Sequence, residues 1–188
     1  MTAVAQSHHD YTFADYLALE RESEVKHEFD GGEILAMTGG TSRHSALAVK
    51  VATALENARP DGCTVFQSDM RVRIMATGRA TYPDVSMVCR EIEYDPDDAE
   101  RTTITNPSLI VEVLSPTTEK GDRGNKWMHY QRIPSLREYI LVSQEPRVEI
   151  YRRTPQGTWE YLELEEGSVT LSAGATLDLS MLYTGLPL

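Results

Sequence analysis

Glu112 stands in the middle of Leu109-Ile110-Val111-Glu112-Val113-Leu114, a run otherwise apolar enough to form a strand buried on both faces. A carboxylate in that setting stays ionised only beside a cation, whether an ammonium or a metal. Two residues are candidates for company: Asp84, in Pro83-Asp84-Val85-Ser86-Met87-Val88-Cys89, and Lys126, in a helical-looking stretch after the Glu112 run. Side chains alternate along a strand, so Asp84 shares a face with Ser86 and Val88, and Glu112 shares one with Ile110 and Leu114. If the two strands are neighbours, both carboxylates enter one cleft. Together with the Val113 carbonyl they could supply the oxygens that Mg2+ takes alongside waters and a substrate phosphate, with Mn2+ as a substitute. The chemistry would be hydrolysis, using a bound water of lowered pKa and a cation against the charge growing on a phosphate oxygen. Lys126 would orient that water or stabilise the transition state.

Plainer readings exist for each residue. Asp122 and Lys126 are four apart on a helix and could form a surface ion pair, and Asp84 could simply open a strand. Glu28 could reach a metal through water, hold Lys126 in place, or be solvated. His44 could contact a phosphate or a site carboxylate, or be a satisfied helix histidine. His8, His9, His27 and His129 share no ligand spacing with Cys63 or Cys89, which argues against zinc. There is no glycine-rich phosphate loop and no Gly-x-Ser-x-Gly nucleophile elbow.

The elements that must position these side chains follow from pattern. Thr12 can cap a short helix to about residue 22, with Phe13, Tyr16, Leu17 and Leu19 on its apolar side. Residues 25–38 read as a hairpin around Gly31-Gly32. Thr41 or Ser42 caps a helix through Ala58, with Leu47, Val51, Ala54 and Ala58 at helical spacing and His44 on or beside that stripe. Strands follow near residues 63–66, 71–75, 83–89 and 109–114, with an acidic loop before the last. Residues 115–118 can cap a helix over 119–132, and strands follow at 137–142, 148–152, 159–164 and 169–171. The pattern suits an α/β fold with a mixed β-sheet, helices on its faces and antiparallel C-terminal strands. The expected organisation is a flexible lead over residues 1–11 and a single domain over 12–188.

The chain is 188 residues long, and its 40% hydrophobic content can close a core without staples. No apolar run reaches about eighteen residues, and the first ten carry no apolar signal core. A cytoplasmic protein without membrane attachment is expected, with Cys63 and Cys89 as reduced core thiols. The formal charge of −11 opposes non-specific nucleic-acid binding. That charge is local, however. Six acids between Glu91 and Glu100, and five more after residue 155, where Lys and Arg are absent, account for all of it. The remainder is neutral, so Arg43, Arg71, Arg73, Arg79, Lys120, Arg123 and Arg132 could form a basic patch or be scattered surface charge.

The segment Tyr82-Pro83-Asp84-Val85-Ser86, the long block 106–118 around Glu112, Asp122-Arg123-Gly124-Asn125-Lys126 and Tyr130 resemble the Uma-two-type restriction endonuclease family of the PD-(D/E)XK nuclease superfamily. The hairpin from Glu28 to Met37 and His44 are similar to it as well, so the resemblance spans roughly residues 12–180. It implies a restriction-endonuclease-like core and metal-dependent hydrolysis of DNA, with Asp84 and Glu112 at the superfamily's acidic positions. Leu114 stands where the superfamily signature places lysine; the resemblance nominates Lys126, from the following helix, in its stead. Glu28 and His44 would support the site. Cleavage of both strands needs two sites, so a homodimer is expected. The rivals are a non-catalytic interaction protein that keeps the fold, and a metal-dependent hydrolase of RNA or a small phosphoester.

Overall fold

The computed structural model describes residues 10–187. Residues 1–9 of the expected lead lie outside them, while Tyr11 already donates its backbone N–H to the Gly32 carbonyl at 3.0 Å. Helix α1 (Phe13–Glu22) begins at Thr12, whose hydroxyl accepts from the Asp15 N–H while Asp15 answers to the Thr12 N–H, a reciprocal capping box. Its buried face is Phe13, Tyr16 and Leu17, but Leu19 turns outward at 38% exposure. Strands β1 (His27–Asp30) and β2 (Glu33–Ala36) form the hairpin. Gly31 and Gly32, at φ +57° and +89°, supply the left-handed pair such a two-residue turn requires.

Helix α2 (Ser42–Ala58) is capped by Thr41. Leu47, Val51 and Leu55 form its buried stripe, so the inward face continues through Leu55 and Ala58 is exposed. This stripe packs against Val85, Met87, Val111 and Val113, on one face of the larger sheet.

The strands divide into two mixed sheets and a small hairpin instead of one sheet. The larger contains β3 (Thr64–Gln67), β6 (Val85–Val88), β8 (Leu109–Val113), β9 (Glu138–Val142), β10 (Val148–Arg153) and β11 (Trp159–Leu164), in the order β11-β10-β9-β8-β6-β3. The second runs β2-β1-β5-β4-β7, with β4 (Arg71–Arg73), β5 (Ala80–Thr81) and β7 (Thr103–Ile104). Strands β12 (Ser168–Thr170) and β13 (Thr176–Asp178) pair with each other, and α5 (Leu179–Tyr183) follows. Strands β5, β7 and β13 are two or three residues long, too short to show a period in sequence.

One connection decides where the chemistry sits. β8 and β9 are parallel neighbours, so the chain between them must cross a face of the sheet. That crossover carries α3 (Glu119–Gly121), a π-helical turn (Asp122–Lys126) and α4 (Trp127–Tyr130). Tyr130, Ile133 and Leu136 bury it against Ile110, Leu114, Tyr139 and Leu141, on the face opposite α2. Glu112 alternates in phase with Ile110 and Leu114, so it points at the crossover.

One expectation is corrected outright. Cys63 and Cys89 form a disulfide, not free thiols: β3 and β6 pair antiparallel with Thr64 opposite Val88, which sets the two cysteines across from each other just beyond. The acidic stretch is the expected loop, tied down where Asp95 is buried against Arg73 and where Asp98 accepts from Thr102 and from Thr103, the first residue of β7. The arginines do not gather into a basic patch: Arg71 and Arg79 are buried, Arg73 and Arg123 are bonded to carboxylates, and Arg43 binds the carbonyls of Gln144 and Pro187. No helix among the described residues is long and apolar enough to cross a membrane.

Candidate metal and phosphoester site

Strands β6 and β8 run antiparallel with Val85 opposite Val111, a register that brings Asp84 opposite Glu112 just as the ladder stops. Val113 is the next residue of β8 and, although still paired with Val142 of β9, has no β6 residue paired with it. Its N–H therefore goes to Asp84 Oδ2, at 2.7 Å. The carboxylate substitutes for the missing strand carbonyl, so Asp84 is fixed by main chain as well as by its own backbone. The Val113 carbonyl, on the same edge of the strand, meets the His44 ring.

His44 Nε2 lies 3.2 Å from Asp84 Oδ2. That contact, offset by partial burial, raises the imidazole pKa above its ordinary value, with Asp84 and Asp122 adding charge attraction. Its ring packs so closely on Gly40 that a Cβ there would lie 2.7 Å from Nδ1. Only glycine lets the β2–α2 connection pass beside the imidazole.

Lys126 comes back from the crossover. Its ammonium is 3.0 Å from Glu112 Oε1, 3.0 Å from an Asp122 oxygen and 3.6 Å from Glu28 Oε1, on a side chain only 13% exposed. Asp122 and Lys126 are therefore a buried pair, not the surface pair that their spacing alone allows; Asp122 is 1% exposed. Tyr130 donates to the same Glu112 Oε1 at 2.8 Å. Asp122, Lys126 and Tyr130 recur every four residues, and the π-helical turn that begins at Asp122 lies where that row meets the carboxylate.

Glu28 reaches the cluster from β1. It accepts from Arg79 at 2.8 Å and from the Thr81 hydroxyl, and its pKa is lowered because Lys126, Thr81 and Arg79 together outweigh desolvation. Glu28 thus takes the supporting position, beside Lys126. Arg79, Thr81, Asp122 and Tyr130 are the members that sequence reasoning missed. Tyr130 and Asp122 carried a signal in their four-residue spacing from Lys126, whereas Arg79 and Thr81 sit by a two-residue strand and carried none.

Glu28, Asp84, Glu112 and Asp122 outnumber Lys126 and Arg79 by two charges. The strain falls on Glu112, which is 3% exposed. Burial raises its pKa to about 8; the Lys126 ammonium opposes this, and the charges of Asp122 and Asp84 reinforce it. Lys126 itself is pushed well above the usual lysine value, because its surrounding carboxylates more than offset burial. The ion-free cluster at neutral pH thus holds a charged lysine and a largely protonated Glu112.

This arrangement fits a divalent cation. Glu112 Oε2 and Asp84 Oδ1 have no hydrogen-bond partner among the described residues, the Val113 carbonyl lies past the ladder, and the excess of anions is what a dication would cancel. No group of three His, Cys, Asp or Glu side chains capable of holding a metal occurs among the described residues. Two carboxylates and a carbonyl suit an ion that retains waters, as Mg2+ does, and not a four-ligand zinc centre.

Comparison with known proteins bears on the family and the fold. Residues 13–184 match the model of the Uma2 family, described as "Putative restriction endonuclease". An uncharacterized protein of Synechocystis, slr1290, is 37% identical over 177 residues, covering 92% of this chain and 90% of its own. A second from the same organism, sll1609, is 36% identical over 155 residues, 81% and 86% of the two chains. Among solved structures, a protein from Anabaena variabilis titled a "putative nuclease belonging to DUF820" superposes with a TM-score of 0.67 at 19% identity, over 86% of this chain and 92% of the other. At that identity the likeness is one of fold.

Proposed function

This chain belongs to the Uma2 family, and from that membership and the geometry at the end of β8 we propose that it is a metal-dependent endonuclease acting on DNA. The observation that carries the reading is the meeting of Asp84, Glu112 and Lys126, drawn from two strands and the crossover between β8 and β9, at a buried point with surplus negative charge. Asp84, Glu112 and the Val113 carbonyl would hold Mg2+, or Mn2+ in its place. The bound ion would supply a water acidic enough to attack at neutral pH and a positive charge for the phosphate.

The chain's own groups do the remaining work. Val113 N–H and His44 hold Asp84 in one orientation. Tyr130 and Lys126 both approach Glu112 Oε1, which leaves Oε2 turned to the ligand. Lys126 is kept protonated by its carboxylate neighbours, so its role is that of a fixed cation near the phosphate and attacking water and not of a general base. Glu28 and Asp122 aim that ammonium. Two copies acting together would cut both strands, so the working unit in this reading is a homodimer.

The test is calorimetric titration of Mg2+ and Mn2+ into the protein, beside cleavage assays on plasmid DNA, RNA and nucleotide phosphoesters. Binding that vanishes in Asp84→Ala and Glu112→Ala, with DNA cleavage lost in the same variants, is the expected result. Absence of carboxylate-dependent ion binding would remove the catalytic reading. Cleavage of only RNA or a small phosphoester would replace the substrate.

A further inference from the structure

The face of the site beyond Asp84 is not a basic groove but a pocket. It offers about 520 Å³ between α2 and the segment joining β2 to α2, and Asp84 and His44 are among the residues that line it. One wall is apolar, made by Met37 with Ala48, Val49 and Ala52 on successive turns of α2. Val49 is 63% exposed, so this wall lacks a protein cover. The rim is polar, and the Thr38 and Ser45 hydroxyls have no hydrogen-bond partner among the described residues. Its one ammonium, Lys26, is already bound to the Ser68 carbonyl and the Asp69 carboxylate.

These features discriminate between nucleic-acid forms. A duplex is gripped through its phosphates, by lysines and arginines that displace counterions. Among the described residues that line this approach, no lysine or arginine is unpaired for that purpose. An unpaired nucleotide offers a free base face, which nucleic-acid sites commonly cover with an aromatic ring while hydroxyls or amides read the polar edge; here Met37 and the α2 alanines would form the covering surface. The volume falls within the range of small-ligand sites, roughly 300–1,000 Å³.

We infer that this pocket is a nucleoside subsite, receiving one unpaired nucleotide of the substrate with its base against Met37, Ala48 and Ala52 and its phosphate at the Asp84 end. The inference rests on the phosphodiester reading of the site. It narrows the substrate to a single strand, a frayed end or a locally opened duplex.

Binding can be read without turnover, by titrating deoxynucleoside 5′-monophosphates into the full chain with Mg2+ present to offset the Asp84 charge against the phosphate, and following chemical-shift changes. Ala52→Phe fills the pocket from the helix, and Ser45→Trp blocks its mouth from an exposed position that folding tolerates. The expected result is nucleotide binding to the wild type, weakened about tenfold or more in both variants, with single-stranded oligonucleotide competing and blunt hairpin duplex failing to compete. Nucleotide binding of equal strength in wild type and a folded Ser45→Trp would overturn the inference, as would no binding at all. A protein that binds nucleotides here yet cleaves nothing would sink the nuclease reading and leave the subsite standing. Efficient cleavage of intact duplex, undisturbed by Ser45→Trp, would do the reverse.

Discussion

Replacing Glu112 by Gln should stabilise the ion-free protein, and by an amount that depends on pH in a specified way. Glutamine is a permanent copy of the protonated acid, retaining the shape and an acceptor for Tyr130 and Lys126. The wild-type side chain has an ordinary pKa of 4.5 and one of about 8 in the folded protein. Because the folded value is raised, the unfolded chain releases this proton first. Stability linked to Glu112 is complete below pH 4.5, declines as pH rises, and levels off above 8. Each pH unit within that window is worth about 1.4 kcal/mol, so the variant should lead by about 3 kcal/mol at pH 7 and about 5 kcal/mol at pH 8.5, with no lead at pH 4.

Urea unfolding of both proteins at pH 4, 6, 7 and 8.5, without divalent ions, measures the gap directly. With a slope of about 2 kcal/mol/M, the lead at pH 7 corresponds to about 1.5 M in midpoint. Other titrating groups cancel in the difference. At pH 8.5, excess Mg2+ should narrow the gap, since only the wild type can offer a carboxylate to the ion. A gap independent of pH, or a wild type more stable than the variant at pH 8.5, would refute the reasoning. Either result would mean that Lys126 alone compensates the Glu112 charge, removing the electrostatic case for a second cation.

Lys126→Ala leaves the buried Asp122 carboxylate without its cation, so it should cost roughly 3–5 kcal/mol at neutral pH in denaturant melts. In the nuclease reading it keeps ion binding by calorimetry but loses cleavage, and unchanged turnover would show that the lysine has no catalytic part. Tyr130→Phe removes one donor from Glu112 Oε1 and should cost about 1–3 kcal/mol, with the Glu112-linked pH dependence moved to higher pH. Cys63 and Cys89 should be silent to thiol reagents in the native protein until a reductant is added. Their separation of 26 residues predicts a loss of about 3 kcal/mol for Cys63→Ser, and two freely reactive thiols in fresh protein would contradict the pairing.

Much of the site was legible because the sequence put a charge where the period demanded a hydrocarbon. Glu112 within its apolar strand announced both burial and a need for company. Legibility failed where a residue's environment is set by distant chain. Cys63 and Cys89 look like ordinary core thiols until β3 and β6 are paired in register. Asp122 and Lys126 look like a solvated helix pair until the crossover is laid on the sheet. Thr81 belongs to a strand too short to be seen, with Arg79 just before it, and that strand exists because β1 and β4 flank it. Whether the arginines form a patch stays open in the sequence for the same reason, since a formal charge does not reveal whether a guanidinium already has its carboxylate.

The site depends less on any single acid than on where two strands stop. If β6 extended one pair further, its backbone would satisfy the Val113 N–H. The Asp84 carboxylate would then be free to point elsewhere, and the strand edge that exposes the Val113 carbonyl would be closed. Ending β6 at Pro83-Asp84 avoids this, because proline has no N–H to extend the ladder and aspartate can fill the vacated acceptor position. The crossover then needs only a parallel β9 beside β8 to bring Lys126 over Glu112. A lysine two residues after Glu112, at the position held by Leu114, would have to stand among Ile110, Tyr139 and Leu141. Moving the ammonium to the crossover keeps that position apolar and attaches the cation to an element held by Tyr130, Ile133 and Leu136. Exchanging the two residues, Leu114→Lys with Lys126→Leu, should therefore fail to restore a functional site even though its composition is unchanged.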